Sequence, residues 1–83
     1  MNRKKLLRRL AQGSLHNVAF SDMVNLARGF GFTLGRVAGS HHILMHRDIS
    51  ELVNLQEVHG EAKPYQIRQF LRLVERHNLK LEE

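Results

Sequence analysis

The stretch FTLGRVAGSHHILMHRDISELVNLQ, residues 32–56, decides the fold. It is rich in apolar and β-branched residues, lacks the three-to-four spacing of a helix, and is punctuated by turn chemistry at Gly39-Ser40 and Arg47-Asp48. Residues 32–38, 41–46 and 51–56 therefore read as three consecutive antiparallel strands joined by tight connections. On the N-terminal side, Met23, Leu26, Ala27 and Phe30 fall at i, i+3, i+4 and i+7, which predicts a helix with Ser21 as N-cap and Asp22 favouring its first turn. Gly29 and Gly31 end it. On the C-terminal side, Lys63-Pro64 opens a second helix, because proline in the first turn gives up an N–H that would have no partner there. Ile67, Phe70, Leu71 and Val74 form its apolar stripe, while Arg68, Arg72 and Arg76 line another face at i, i+4 and i+8, positioned to hold phosphates. The polar run 56–63 reads as a loop. At the chain start, Leu6, Leu7 and Leu10 among five Lys and Arg predict a short basic helix that stops near Gly13. The order helix, helix, three strands, helix is an α+β layer: a small three-stranded antiparallel sheet with helices packed on one face and the other face open.

A chain of 83 residues holds one domain, because it buries only about 60% of the surface its unfolded form exposes and cannot support two cores. Residues 1–83 are read as that single domain, with 1–18 a basic N-terminal extension and 19–83 the core. Cysteine is absent, which excludes disulfides, thiolate metal sites and Cys nucleophiles. No apolar run is long enough to span a bilayer, and the basic start is not followed by the unbroken apolar stretch of a signal peptide, so no membrane partner and a cytoplasmic location are expected. The net charge is +5, distributed unevenly: residues 1–47 carry eight Lys and Arg against one acid, and residues 48–83 carry five against seven. An anionic partner facing the first half is the electrostatic expectation.

Six histidines in so short a chain raise the question of a metal. In a strand, His41 and His42 point to opposite faces, and His42 and His46 share a face but stand about 13 Å apart, too far to share one ion. No metal and no cofactor are expected. Proton transfer is the other use of imidazole, whose ordinary pKa of about 6.5 lies near cellular pH. Cleavage of RNA uses that chemistry. A base takes the proton of the ribose 2′-OH, the oxygen attacks the adjacent phosphorus, an acid protonates the leaving 5′ oxygen, and Arg or Lys steadies the added negative charge.

The run Arg36-Val37-Ala38-Gly39-Ser40-His41-His42-Ile43, followed by Lys63-Pro64-Tyr65-Gln66-Ile67-Arg68, resembles the HicA toxin family. The resemblance covers residues 21–79, and Gly-Ser-His-His is its specific part. It implies a fold like that of a double-stranded-RNA-binding domain (dsRBD-like), metal-independent cleavage of mRNA, and neutralisation by a HicB-like antitoxin. It also implies that the histidine directly after Gly-Ser, His41, is catalytic, with His42 as the reserve position. Gly39, Ser40, Arg36, Lys63, Arg68 and Arg72 are expected to hold the RNA. Two positions depart from the family pattern. His46-Arg47 stands where many members have His-Pro, and Gln56 stands near a position where many have His, which leaves His59 in the following loop as a stand-in for a second acid or base. The competing readings are a non-catalytic double-stranded-RNA-binding module and an interaction protein whose basic helix docks an acidic partner; binding and cleavage assays with RNA separate them.

Overall fold

The computed structural model describes residues 2–82. Its elements run α1 (Arg3–Ala11), α2 (Phe20–Gly29), β1 (Thr33–Ala38), β2 (His41–His46), β3 (Ile49–Val58), β4 (Glu61–Ala62) and α3 (Pro64–Arg76). The strands form one antiparallel sheet in the order β1-β2-β3-β4. This is the expected α+β architecture, with one correction: the sheet has four strands, not three. Residues 56–63 are not a loop. His59 and Gly60 take φ of 52° and 78°, the left-handed pair that a type I′ turn requires, so β3 runs on to Val58 and returns as β4. That turn matches the right-handed twist of its strands, and the glycine supplies half of it without strain.

The start of α2 is a second correction. The helix begins at Phe20 and Ala19 is its N-cap, so Ser21 already lies inside the first turn. Tertiary pairing overrides the local capping preference. Val18 accepts from the Ala62 N–H, Phe20 N–H donates to Gly60, and Ala19 bridges Glu61, which holds the chain extended until Phe20 has entered the core. Asp22 remains in the first turn, where the helix dipole favours it. All three helices end in the same way. Gly13, Gly31 and Asn78 adopt positive φ, and the residue after each donates back across the last turn, as in Phe32 N–H to Ala27 and Leu79 N–H to Val74.

One core lies between the sheet and the helices. Leu44, Val53 and Leu55 project from the sheet into one cluster with Met23 and Leu26 of α2, Phe30 at its C-cap, and Ile67, Phe70 and Leu73 of α3. Phe70 stacks edge-on and tilted against Phe30 and Phe32, with ring centroids 5.8 and 5.4 Å apart. Leu6 and Leu10 of α1 enter this same core at 1% and 2% exposure, and α1 packs on α2. The close approach is made at Gly29. A Cβ there would lie 2.7 Å from Leu81 and 2.8 Å from the Arg3 side chain. The C-terminal tail is pinned at the same place by Glu82 N–H donating to the Gly29 carbonyl at 2.7 Å.

At the edge of the sheet, Glu51 of β3 is held by the Arg76 guanidinium and by His77 Nε2 at 2.8 Å. The hydrogen bond from His77, followed by the charge of Arg76, keeps the Glu51 carboxyl below its ordinary value. A carboxyl whose folded-state pKa is depressed stabilises the fold above its unfolded value, and loses that contribution as pH falls through the folded one. Thermal melts from neutral pH to below the usual carboxylate range should therefore show Glu51→Gln losing less stability on acidification than the parent chain. Equal losses in the two chains would refute this role.

Candidate functional site

The β1–β2 hairpin builds the site. Its two-residue loop, Gly39-Ser40, joins the paired residues Ala38 and His41, and Gly39 alone takes positive φ, at 62°, which is the pattern of a type II′ turn. Glycine is needed there for its backbone, since a Cβ would meet nothing within 4 Å. The same open space leaves the turn accessible to a large ligand.

The strand then turns the two neighbouring histidines to opposite faces. His41 lies on the face away from the helices, half-buried, with Nδ1 3.2 Å from the Asn54 side-chain oxygen. His42 lies on the helix side, its ring 4.6 Å from that of Phe20 and its Nδ1 3.2 Å from the Ser40 carbonyl oxygen. A carbonyl only accepts, so the neutral His42 ring carries its proton on Nδ1. At the far end of β2 the tautomer is reversed, because Asp48 N–H donates to His46 Nδ1 at 3.1 Å. His46 packs on Phe32, with centroids 5.2 Å apart, at the opposite end of the strand from the Gly-Ser turn. His59 sits at the tip of the β3–β4 hairpin, exposed.

A bulge brings a guanidinium to the His41 face. The β1–β2 register slips between Leu34 and Arg36, so that Gly35 and Arg36 both oppose Ile43. The Gly35 position is filled by the Met45 methyl group, 2.8 Å from where a Cβ would stand. The slip aligns Arg36 with Ile43 and Asn54, one diagonal step from His41, a spacing of about 7–8 Å between α-carbons. Hydrogen bonds tie the turn to the rest of the molecule. Gln56 Nε2 donates to Ser40 Oγ at 3.3 Å, and the Gln56 backbone N–H donates to Gln66 Oε1 at 2.6 Å. Gln66, only 3% exposed, is the buried polar residue of α3 and gives its amide oxygen to this link.

A cleft of about 330 Å³ runs between β3 and α3, lined among others by Asn54, Gln66, Gln69 and Arg72. Asn54 both lines this cleft and touches His41, and Arg72 lines the same cleft. Arg68 precedes Arg72 by one turn, exposed and outside the cleft lining. Arg76 is engaged by Glu51, which shortens the expected row of three arginines to two. Lys63 is the N-cap of α3 and lies half-buried, 6.0 Å from the Tyr65 ring centroid. The structure thus gathers Arg36, Gly39, Ser40 and His41 with Asn54, Gln56 and Gln66, places Arg72 in the cleft that Asn54 and Gln66 also line, and sets His42 behind the sheet. Asn54 and Gln66 were not singled out from the sequence. Asn54 becomes visible once β2 and β3 are registered, because it opposes Ile43 and is diagonal to His41.

Among the described residues no three or more metal-ligating side chains come together, and no helix is long and apolar enough to cross a membrane. A family model described as HicA toxin of bacterial toxin-antitoxin matches residues 20–75. Neither the curated proteins nor the solved structures contain a match to the chain.

Proposed function

Because the chain belongs to the HicA family and is the toxin of a bacterial toxin–antitoxin system, we propose that it is an endoribonuclease that cleaves mRNA in the cytoplasm, without a metal, through His41. The observation that carries this reading is the placement of His41. Its imidazole stands on the open sheet face, between the Gly39-Ser40 turn and Arg36, and Nδ1 is occupied by Asn54. Nε2 is then the nitrogen left for a substrate. It accepts the proton of a ribose 2′-OH, the freed oxygen attacks the neighbouring phosphorus, and the bond from phosphorus to the 5′ oxygen breaks. The products are a 2′,3′-cyclic phosphate and a 5′-OH, the leaving oxygen taking up a proton in turn. Arg36 and Arg72 offset the charge that accumulates on the phosphoryl oxygens, and Lys63 and Arg68 hold the flanking backbone. His42, packed on Phe20, supports the turn through its bond to the Ser40 carbonyl.

The test is direct. Purified chain incubated with mRNA in excess chelator should yield fragments ending in 2′,3′-cyclic phosphate, and intact RNA after long incubation would refute the proposal. The antitoxin of the system, which we take to be HicB-like, is expected to silence the enzyme by covering His41. A footprint that leaves His41 open in the inhibited complex would overturn direct occlusion.

The basic side chains carry a prediction of their own. Replacing Arg68 and Arg72 together by Ala should weaken binding of all RNA sequences alike, since backbone contacts position RNA without reading bases. The slope of log affinity against log salt should become shallower by roughly 1.4, at about 0.7 per lost phosphate contact on a single strand. Titrations at several salt concentrations measure this, and an unchanged slope would remove both arginines from the interface.

A further inference from the structure

Four of the five aromatic residues, Phe20, Phe30, Phe32 and Phe70, are buried in the core. The fifth, Tyr65, is 51% exposed. It is the second residue of α3, so the helix fixes its backbone, and its hydroxyl lies 3.5 Å from Gln66 Nε2. Gln66 in turn holds the Gln56 N–H, and the Gln56 side chain holds Ser40, so three hydrogen bonds in series tie the Tyr65 ring to the turn that carries His41. Lys63 places its ammonium beside the same ring. A flat apolar surface held rigidly next to a cation is the pairing that single-stranded nucleic acids use, the base stacking on the ring while the cation takes the phosphate.

We propose that the Tyr65 ring is a stacking platform for an unpaired nucleobase of RNA, next to the phosphate at His41, so that the substrate must be single-stranded there. This rests on the reading of the chain as an RNA-cleaving toxin. It adds a requirement which that reading lacks: a base in a duplex is already stacked on both sides and has no free face to offer the ring.

The chain supplies its own reporter, because Tyr65 is the only tyrosine and there is no tryptophan. Full-length His41→Ala chain, which binds without cutting, is titrated with labelled single-stranded RNA while RNA anisotropy and tyrosine fluorescence are followed together. Stacking predicts that fluorescence is quenched in step with binding. Polyphosphate, an anion without bases, and fully paired RNA should leave the fluorescence nearly unchanged. Tyr65→Ala should weaken single-strand binding by roughly 5- to 100-fold with an unaltered salt slope, and Tyr65→Phe should keep most of the affinity, because the ring makes the contact and the hydroxyl only helps to orient it. Binding without quenching, equal quenching by polyphosphate, or full affinity in Tyr65→Ala would each overturn the stacking site and leave the nuclease intact. A complete lack of RNA binding by anisotropy would overturn both.

Discussion

His41→Ala is expected to lower RNA cleavage by roughly 10²–10⁴-fold while leaving folding and RNA affinity close to those of the parent chain. The magnitude is that of losing a general acid–base group, and the selectivity follows from where the ring sits. His41 is half-buried on a face that no helix covers, and its side-chain bond to Asn54 is not part of the core. Its removal leaves no cavity among packed residues. His42→Ala should behave in the opposite way. That ring packs on Phe20 and bonds the Ser40 carbonyl, so its loss should lower the melting temperature and change cleavage much less. Single-turnover rates and thermal melts on the two variants decide the matter. A large catalytic loss in His42→Ala with none in His41→Ala would transfer the role to His42. A well-folded double variant that cleaves at the parent rate would end the histidine mechanism altogether.

The second large effect concerns α1, which precedes the segment that matches the family. Leu6→Ala combined with Leu10→Ala should leave the chain largely unfolded at physiological temperature. Each leucine is buried, and a Leu→Ala change at such a site costs about 2–5 kcal/mol. A domain of this size has a total stability of roughly 4–12 kcal/mol. The pair therefore removes most or all of it. For the same reason a chain that starts at residue 20 should fail to melt cooperatively, since Leu6, Leu10, Leu15 and Val18 all belong to the one core. Circular dichroism with temperature checks both, and a truncated chain that melts near the parent temperature would contradict the role given to α1.

Much of this architecture was legible from residue spacing. The three helices and the strands around Gly39-Ser40 and Arg47-Asp48 lie where apolar periodicity and turn residues put them, because these features act over a few residues. What was missed depends on partners distant in the chain. β4 is two residues long and exists because His59-Gly60 closes a hairpin and the 18–19 segment lies alongside it. The displaced start of α2 has the same origin. In the site, the opposite placement of His41 and His42 follows from strand geometry alone. The bulge at Gly35, by contrast, is a property of two strands together, and nothing in the local sequence of β1 announces that Arg36 will oppose Ile43, diagonal to His41. Gln66 was hidden for a similar reason: a glutamine beside an apolar stripe reads as surface until the Gln56 N–H is seen to need it.

One consequence of the β1–β2 hairpin concerns where positional information is stored. The run His41-His42-Ile43-Leu44-Met45 is almost indifferent to a slip of one residue. Such a slip exchanges one imidazole for another and Leu44 for Ile43 and Met45, so hydrophobic burial scarcely distinguishes the two alignments. The frame is set instead by a segment that carries no reactive group. With Gly39 at 62°, a two-residue loop, and a bulge that only one alignment accommodates, the hairpin indexes β2 like a detent. The strand supplies interchangeable parts and the turn decides which imidazole is presented. The choice between the two alignments is thus made by backbone conformation, at a place where side-chain hydrophobicity offers little discrimination.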